Sequence, residues 1–243
     1  MSPVLPTREI ELGLLEQYDV VIGMDEVGRG ALAGPVAVGA AVVSRSTGAA
    51  PQGLADSKLL NGVRRQALIS PIRQWIVSGT VGWSSPSEVS EQGLTWALRL
   101  AGLRAIAMLL PPVAGIARIC ILLDGNYNWL KTPEQDLFST LETTVGGCPS
   151  IESLGIDVAI RVKADRDASV VSAASVLAKV SRDRYMGTIA DPGYDWARNK
   201  GYASPSHIEA LRTMGPSRRH RLGWNLPGLA VEVTGNLMDE GGS

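Results

Sequence analysis

The stretch VVIGMDEVGRG, residues 20–30, runs from an apolar strand pattern through two adjacent carboxylates into a glycine–arginine–glycine turn. This run and the Val/Ala-rich run at 36–43 lie on either side of a glycine-rich turn, a pattern that predicts a β-hairpin. Asp25 and Glu26 therefore fall where the first strand ends. Because open α/β sheets bind ligands at the ends of their strands, the two acids are candidate site residues.

Helices and strands alternate along the rest of the chain, which predicts an α/β fold. Helical patterns cover 63–77 with a kink at Pro71, then 90–110 as one long amphipathic helix, and then 169–185. Apolar runs at 119–123 and 158–163 predict strands that end near Asp124 and Asp165.

The last third of the chain predicts a small basic helical subdomain at 191–225, after a main domain at 1–190 and before a loose, flexible tail at 226–243. Ser206 and Glu209 form a capping-box pattern, which predicts one short helix that ends at Gly215. The basic residues of this part either bind a polyanion or form a solvated face. They are opposed by Glu209 alone, and they comprise Arg198, Lys200, Arg212, Arg218, Arg219 and Arg221.

Composition limits the class of protein. The 243 residues are 45% hydrophobic and carry a net charge of −1, which argues against wholesale disorder and against coating of nucleic acid by bulk attraction. Cys120 and Cys148 lack metal-ligand spacing, and Cys120 is expected to be a buried free thiol. The sequence contains no signal-peptide pattern and no unbroken apolar span, so we expect a cytoplasmic protein without a membrane segment.

Three acids in separate segments, Asp25, Asp124 and Asp165, fall at or just past the ends of apolar strands. A single such Asp is more often a turn or cap residue, but several that converge need cations, because an unpaired buried charge is costly. Carboxylates are the ligands that hard divalent cations prefer, and two Mg²⁺ or Mn²⁺ ions can promote phosphodiester hydrolysis. His207 and His220 lack zinc-like spacing and are expected at the surface or on phosphate.

Several motifs, in chain order, resemble those of bacterial ribonuclease HII. The resemblance spans residues 20–224 and implies an α/β, ribonuclease-H-like mixed β-sheet flanked by helices, with 1–190 as catalytic domain and a small C-terminal helical subdomain. Two places depart from the family pattern: Ala164 stands where Gly is usual, and SRRHRLGWNLPG replaces His-Arg followed by Ser-Phe. The motifs are GMDEVGRGALAGPVAVGA, ADSKLL, LDGN, VKADRDASVVSAASVLAKVSRDRY and KGYASPSH.

The resemblance also implies an activity. It points to a metal-dependent endoribonuclease that hydrolyses the RNA strand of RNA/DNA hybrids and cuts 5′ of single ribonucleotides embedded in duplex DNA, leaving 3′-hydroxyl and 5′-phosphate ends. The expected cofactor is divalent Mn²⁺ or Mg²⁺, the partner is nucleic acid, and the protein is expected to be a monomer. Four carboxylates would be the catalytic metal ligands, namely Asp25, Glu26, Asp124 and Asp165.

Further residues match the substrate-binding motifs of the family. The backbone of the loop formed by Gly28, Arg29 and Gly30 would read the ribose 2′-hydroxyl at the cleavage point. Tyr202 would stack on the sugar of the next nucleotide. Two lysines would contact phosphate or support the site, and these are Lys58 and Lys179.

Alternative readings of the same residues are weaker. A dinucleotide-binding oxidoreductase is disfavoured because the glycine spacing is wrong and two carboxylates would repel a pyrophosphate. A nucleic-acid-binding module without catalysis needs no set of acids at strand ends. Asp56, Asp167 and Asp183 also lie near the motifs, but we expect structural roles for them, such as an i, i+4 pair of Lys179 with Asp183.

Overall fold

The computed structural model describes residues 5–110, 115, 118–132 and 144–229. Its strands are β1 (Val20–Val27), β2 (Val36–Ser44), β3 (Ser78–Ser84), β4 (Ile119–Asp124), β5 (Thr144–Val145), β6 (Cys148–Pro149) and β7 (Asp157–Arg161). Five of them form a mixed sheet in the order β3-β2-β1-β4-β7, and β5 and β6 form a separate pair. β1 pairs with β2 antiparallel, which confirms the predicted hairpin, and with β4 parallel. β4 pairs with β7 parallel, so the carboxyl ends of β1, β4 and β7 meet at one edge.

Helices cover both faces of this sheet. They are α1 (Glu9–Leu14), α2 (Gly62–Trp75), α3 (Pro86–Gln92), α4 (Leu94–Leu109), α5 (Ile151–Leu154), α6 (Ala164–Asp167), α7 (Ser169–Thr188), α8 (Trp196–Asn199) and α9 (Pro205–Met214). Side chains of β1 alternate between two cores, as the period of a strand requires. Ile22 and Met24 pack with α4 on one face, and Val21 packs with α2 and α7 on the other.

The predicted single helix at 90–110 is wrong, because two helices meet there at Gly93. This residue has φ +82°, a left-handed conformation that breaks the helix and that glycine adopts without strain. Ser85 and Glu88 form a capping box that starts the first helix four residues before the predicted boundary. The second helix, α4, is buried at every position from 97 to 103, so it is a core helix rather than an amphipathic one.

The segment after α7 packs on the main body through a third apolar cluster, which contains Met186, Tyr194, Trp196 and Leu211. Leu226, at the first position of the predicted tail, is also buried in this cluster, while 230–243 lie outside the described residues. The cap of α9 is Ser204, whose side chain accepts from the His207 N–H, so the predicted Ser206 cap was two residues late. None of the described helices is long and apolar enough to cross a membrane.

Candidate active site

Three neighbouring strands bring the predicted acids to one edge of the sheet. Met24 on β1 pairs with Leu123 on β4, so Asp25 and Asp124 are the next residue on each of two adjacent parallel strands. The strand β7 lies on the other side of β4, and Asp165 follows it in α6. The convergence expected from the strand ends is therefore present in the fold.

Among the acids of this edge, Asp25 has the most strongly raised pKa. Burial raises the pKa of Asp25 well above its usual value, and repulsion by Glu26, Asp124 and Asp165 raises it further. Burial also raises the pKa of Glu26, although Arg29, 3.5 Å away, opposes this shift. Such crowding of carboxylates costs energy unless a cation neutralises them.

Asp124 and Asp165 are held by different partners. Asp124 Oδ1 accepts a hydrogen bond of 2.7 Å from the Ala164 N–H, which ties the end of β4 to the start of α6. Asp165 is buried, and burial raises the pKa of its carboxyl, with repulsion by Asp124 acting in the same direction. Lys58 Nζ lies 3.5 Å from Asp165 Oδ2 and opposes that shift. Lys58 therefore supplies positive charge to the acidic edge.

The donor set suits a hard divalent cation. Within the part of the chain that the structure describes, no three His, Cys, Asp or Glu side chains are arranged so that they could hold a metal ion as they stand. The residues at the edge nevertheless offer only carboxylate oxygens, which Mg²⁺ and Mn²⁺ prefer. Glu26 Oε2 is buried and has no hydrogen-bond partner among the residues that the structure describes, as expected of a ligand atom.

A cavity of about 320 Å³ opens beside these acids, and all six predicted substrate-binding residues line it. Gly28 has φ +84° where the chain leaves β1 for the loop. Lys179 forms the predicted pair with Asp183, at 2.7 Å. The Tyr202 ring centroid lies 5.8 Å from Lys179 Nζ. The wall consists of Asp25, Glu26, Val27, Gly28, Arg29, Gly30, Ser57, Lys58, Ser175, Lys179 and Tyr202.

Comparison with known proteins identifies the family of the chain. Residues 22–226 match the family model described as Ribonuclease HII. The chain belongs to the ribonuclease HII family. The Ribonuclease HII of Streptomyces avermitilis is 39% identical over 223 residues, covering 90% of this chain and 83% of that protein. Membership makes the chain a ribonuclease H-type endonuclease, a hydrolase, and confirms the resemblance seen in the motifs.

Solved structures confirm the α/β fold of this family member. The PCNA:RNase HII complex from Archaeoglobus fulgidus matches with a TM-score of 0.57 at 24% identity, over 84% of this chain and 93% of that chain. Bst-RNase HIII in complex with Mn²⁺ matches with a TM-score of 0.58 at 20% identity, over 87% of this chain and 69% of that chain. The mixed sheet flanked by helices is thus the ribonuclease H fold.

The histidines of this ribonuclease HII chain are not where the sequence placed them. His207 and His220 are buried, with their Nε2 atoms 3.0 Å apart, and burial lowers the pKa of both. The hydrogen-bond partners of the two rings show which ring nitrogen of each histidine carries the proton. The Ser217 N–H donates to His220 Nδ1, so His220 Nε2 donates to His207, whose Nδ1 donates to the Tyr202 carbonyl. The pair is neutral and supports the backbone of Tyr202, so the expected surface or phosphate role is wrong.

The basic flank is also smaller than the sequence suggested. Arg221 is fully buried. Arg212 pairs with Glu209 and Arg198 lies 3.8 Å from Asp195, although both side chains are exposed, as is that of Arg218. Two of the acids for which we expected structural roles pair with arginines, as such roles require. Asp56 Oδ2 lies 3.3 Å from Arg166, and Asp167 Oδ2 lies 2.7 Å from Arg161.

Sequence reasoning missed two residues that touch the candidate site. Arg182 and Arg221 both lie under the loop of residues 28–35 that joins β1 to β2, called the Gly28 loop from here on. An added Cβ at Gly28 would stand only 2.1 Å from Arg182 Nε. Nothing in the local pattern separates these arginines from surface ones. The only available signal is that Arg182 lies on the apolar helix α7, one turn after Ala178.

Proposed function

We propose that this ribonuclease HII chain cuts the RNA strand of RNA/DNA hybrids, and cuts duplex DNA 5′ of a single embedded ribonucleotide, leaving 3′-hydroxyl and 5′-phosphate ends. Four carboxylates would hold Mn²⁺ or Mg²⁺ for this reaction. The observation that carries the proposal is the mutual crowding of buried acids at the carboxyl ends of β1, β4 and β7. The proposed ligands are Asp25, Glu26, Asp124 and Asp165.

The bound metal would supply an activated water and neutralise charge on the phosphate and on the leaving oxygen. The chain itself holds the ligands in place. The Ala164 N–H orients the Asp124 carboxylate, and Lys58 balances part of the charge at Asp165. Burial raises the pKa of Asp25, so a proton would compete with the cation at this carboxyl, and a bound cation would hold it ionised by neutralising its charge.

The cavity beside the acids supports the substrate assignment. The Gly28–Gly30 backbone lies in its wall and would approach the ribose, since glycine leaves room that a side chain would fill. Apart from its chain neighbours, no heavy atom of the described residues lies within 4 Å of a Cβ built on Gly30, so that side of the loop is open. Tyr202 would pack on the following sugar, and Lys58 and Lys179 would contact phosphate. A monomeric state and a cytoplasmic location remain predictions.

The test is cleavage of three duplexes: an RNA/DNA hybrid, DNA with one ribonucleotide, and all-DNA. Asp25→Asn and Asp124→Asn should each lower turnover by about 100-fold or more, because losing a ligand charge weakens metal binding and misplaces the water. The matched control is Asp157→Asn, at the amino end of β7 and hydrogen bonded to Tyr18, which should retain activity. Mn²⁺, Mg²⁺ and excess chelator should be run in parallel.

The outcomes separate the parts of the proposal. Full activity in excess chelator, or in both Asp variants, would overturn the metal assignment. Cleavage of the hybrid but not of the single ribonucleotide would overturn the substrate assignment and leave the metal site standing. End analysis of the products checks the 3′-hydroxyl and 5′-phosphate.

A further inference from the structure

Two arginines are fully buried beneath the Gly28 loop, Arg182 and Arg221. Neither forms an ion pair with a carboxylate among the described residues. A buried charge without a counterion must be stabilised by hydrogen bonds, because transfer of a bare charge from water is costly. The acceptors that surround these guanidiniums therefore indicate what they do.

Arg221 binds the carbonyl groups of the loop itself. Its Nη2 donates to the Gly28 carbonyl at 2.6 Å, and its Nη1 donates to the Arg29 carbonyl at 2.8 Å. Its Nε lies 3.3 Å from the Gly34 carbonyl oxygen. One guanidinium thus binds the carbonyl groups of two consecutive residues at the start of the loop and of a third residue near its end.

Arg182 holds the same loop from α7. It donates to the carbonyls of Pro35 at 2.8 Å, Ala33 at 3.2 Å and Lys200 at 2.9 Å. Its Cζ lies 5.4 Å from the centroid of the Tyr202 ring. Arg182 therefore connects the far end of the loop to the segment that carries Tyr202.

The geometry of the peptide bond determines which way the N–H groups of the loop point. In a planar trans peptide the C=O and the following N–H point to opposite sides, and the described residues contain no cis bond. Because Arg221 holds the Gly28 and Arg29 carbonyls inward, the N–H groups of Arg29 and Gly30 point away from it. Neither N–H donates to any group among the described residues, and both residues line the cavity.

We infer that Arg221, supported by Arg182, is a positioning residue that aims the Arg29 and Gly30 N–H groups at the ribose 2′-hydroxyl and thereby sets discrimination between ribose and deoxyribose. The inference rests on the proposed function, in which this loop reads the sugar. Arg221 does not touch the substrate, since it lies behind the loop and is fully buried.

The chemistry requires arginine at this position. A guanidinium presents two parallel N–H groups to two acceptors, whereas a lysine ammonium is a point charge that cannot hold both carbonyls in one plane. Arg221 Cζ lies over the Trp224 ring, 4.7 Å from its centroid, so the ring packs against the guanidinium. Burial and the repulsion of Arg182 lower the pKa of Arg221 to about 9, which leaves it charged at neutral pH.

The experiment measures binding rather than turnover. In an Asp124→Asn background, the affinities for duplex DNA with one ribonucleotide and for the same all-deoxy duplex give a ribose preference. Arg221→Lys should lower this preference by about tenfold while leaving all-deoxy affinity unchanged, since two misaimed hydrogen bonds lose that factor. The exposed Arg219→Lys is the matched control and should keep the preference. Thermal unfolding confirms that each variant folds.

If Arg221→Lys does not fold, a second variant tests the role of Arg221. Trp224→Leu keeps the guanidinium but removes the ring that orients it, so the preference should fall by about threefold. If Arg221→Lys folds and keeps the ribose preference, the inference is overturned while the proposed function stands. If Arg221→Lys is unfolded, a folded Trp224→Leu variant that keeps the preference leads to the same conclusion. No preference in the Asp124→Asn parent overturns the sugar-reading part of the proposed function, and the inference with it.

Discussion

Glu11 on α1 is a fully buried carboxyl group that belongs to neither the acidic edge nor the cavity. Burial raises its pKa to about 7, although Arg8, whose Nε lies 3.6 Å away, acts in the opposite direction. The folded state therefore binds this proton more tightly than the unfolded chain does. Protonation of Glu11 stabilises the fold below its usual pKa, and this stabilisation is lost as pH rises through about 7.

Replacing Glu11 by Gln tests this single residue. When pH is raised from 5 to 8, the free energy of unfolding of the wild type should fall by about 2–3 kcal/mol relative to that of Glu11→Gln. Glutamine has no charge to desolvate, so the variant avoids this loss. Urea unfolding at both pH values measures the difference. Exposed Glu9→Gln on the same helix is the control and should show little change. A wild type and Glu11→Gln with the same pH dependence would contradict the assignment.

At the scale of elements, glycines let α7 lie close against the sheet. An added Cβ at Gly39 on β2 would stand 2.1 Å from the Ala174 carbonyl oxygen, and one at Gly23 on β1 would stand 2.6 Å from the Val170 carbonyl carbon. Both obstacles are backbone atoms, so the helix would have to move away. Because Ser175 and Lys179 reach the cavity from α7, the close packing also sets the width of the site.

Gly39→Ala should therefore destabilise the protein by about 2–3 kcal/mol, since overpacking against backbone cannot be relieved by a rotamer change. The control is Gly13→Ala in α1, where, outside the helix's own backbone and the neighbouring residues, no heavy atom of the described part of the chain lies within 4 Å of the new Cβ. That change should stabilise by about 0.5–1 kcal/mol, because alanine favours the helix. Denaturant midpoints measure both, and equal midpoints for the two variants would contradict this account of the packing.

At the scale of the whole molecule, the C-terminal part and the main body share one apolar cluster and one site. Leu32 and Ala33 from the loop after β1 pack with Trp196 and Leu211. Tyr202 and Arg221 enter the site region from the same C-terminal part. The chain of hydrogen bonds from Ser217 through the two histidines ends on the Tyr202 carbonyl, so the fold of this part and the position of Tyr202 are coupled.

The exposed basic residues of this part should bind the phosphate backbone. Arg198→Gln combined with Arg218→Gln should weaken binding of an RNA/DNA hybrid and reduce the slope of log affinity against log salt by about one to two, through fewer released counterions. The control is exposed Arg118→Gln, which precedes β4 at the opposite edge from the acids. An unchanged slope in the double variant would show that these arginines form only a solvated face.

Much of the site could be predicted from sequence because its signals are local. Strand periodicity placed Asp25 and Asp124 at the ends of apolar runs, and parallel strands bring these ends to one edge. The predicted strand ends were approximate, because β1 continues to Val27 and β7 stops at Arg161, before Asp165 in α6. The pair of Lys179 with Asp183 followed from helical spacing. The family was recognised from short motifs for the same reason, since each lies within a few residues of chain.

Only the tertiary structure revealed the residues whose roles depend on distant parts of the chain. Arg221 binds the Gly28 carbonyl across 193 positions, and His207 meets His220 between two segments that look polar and exposed in the sequence. A local pattern reports the face on which a residue lies but not the element that later covers it. The sequence alone thus indicated the family, four of the five strands of the main sheet and the gathering of the acids at their ends, because these signals are local. Long-range packing decided the strand order and the place of β3, which basic groups are buried, and which way the loop amides point.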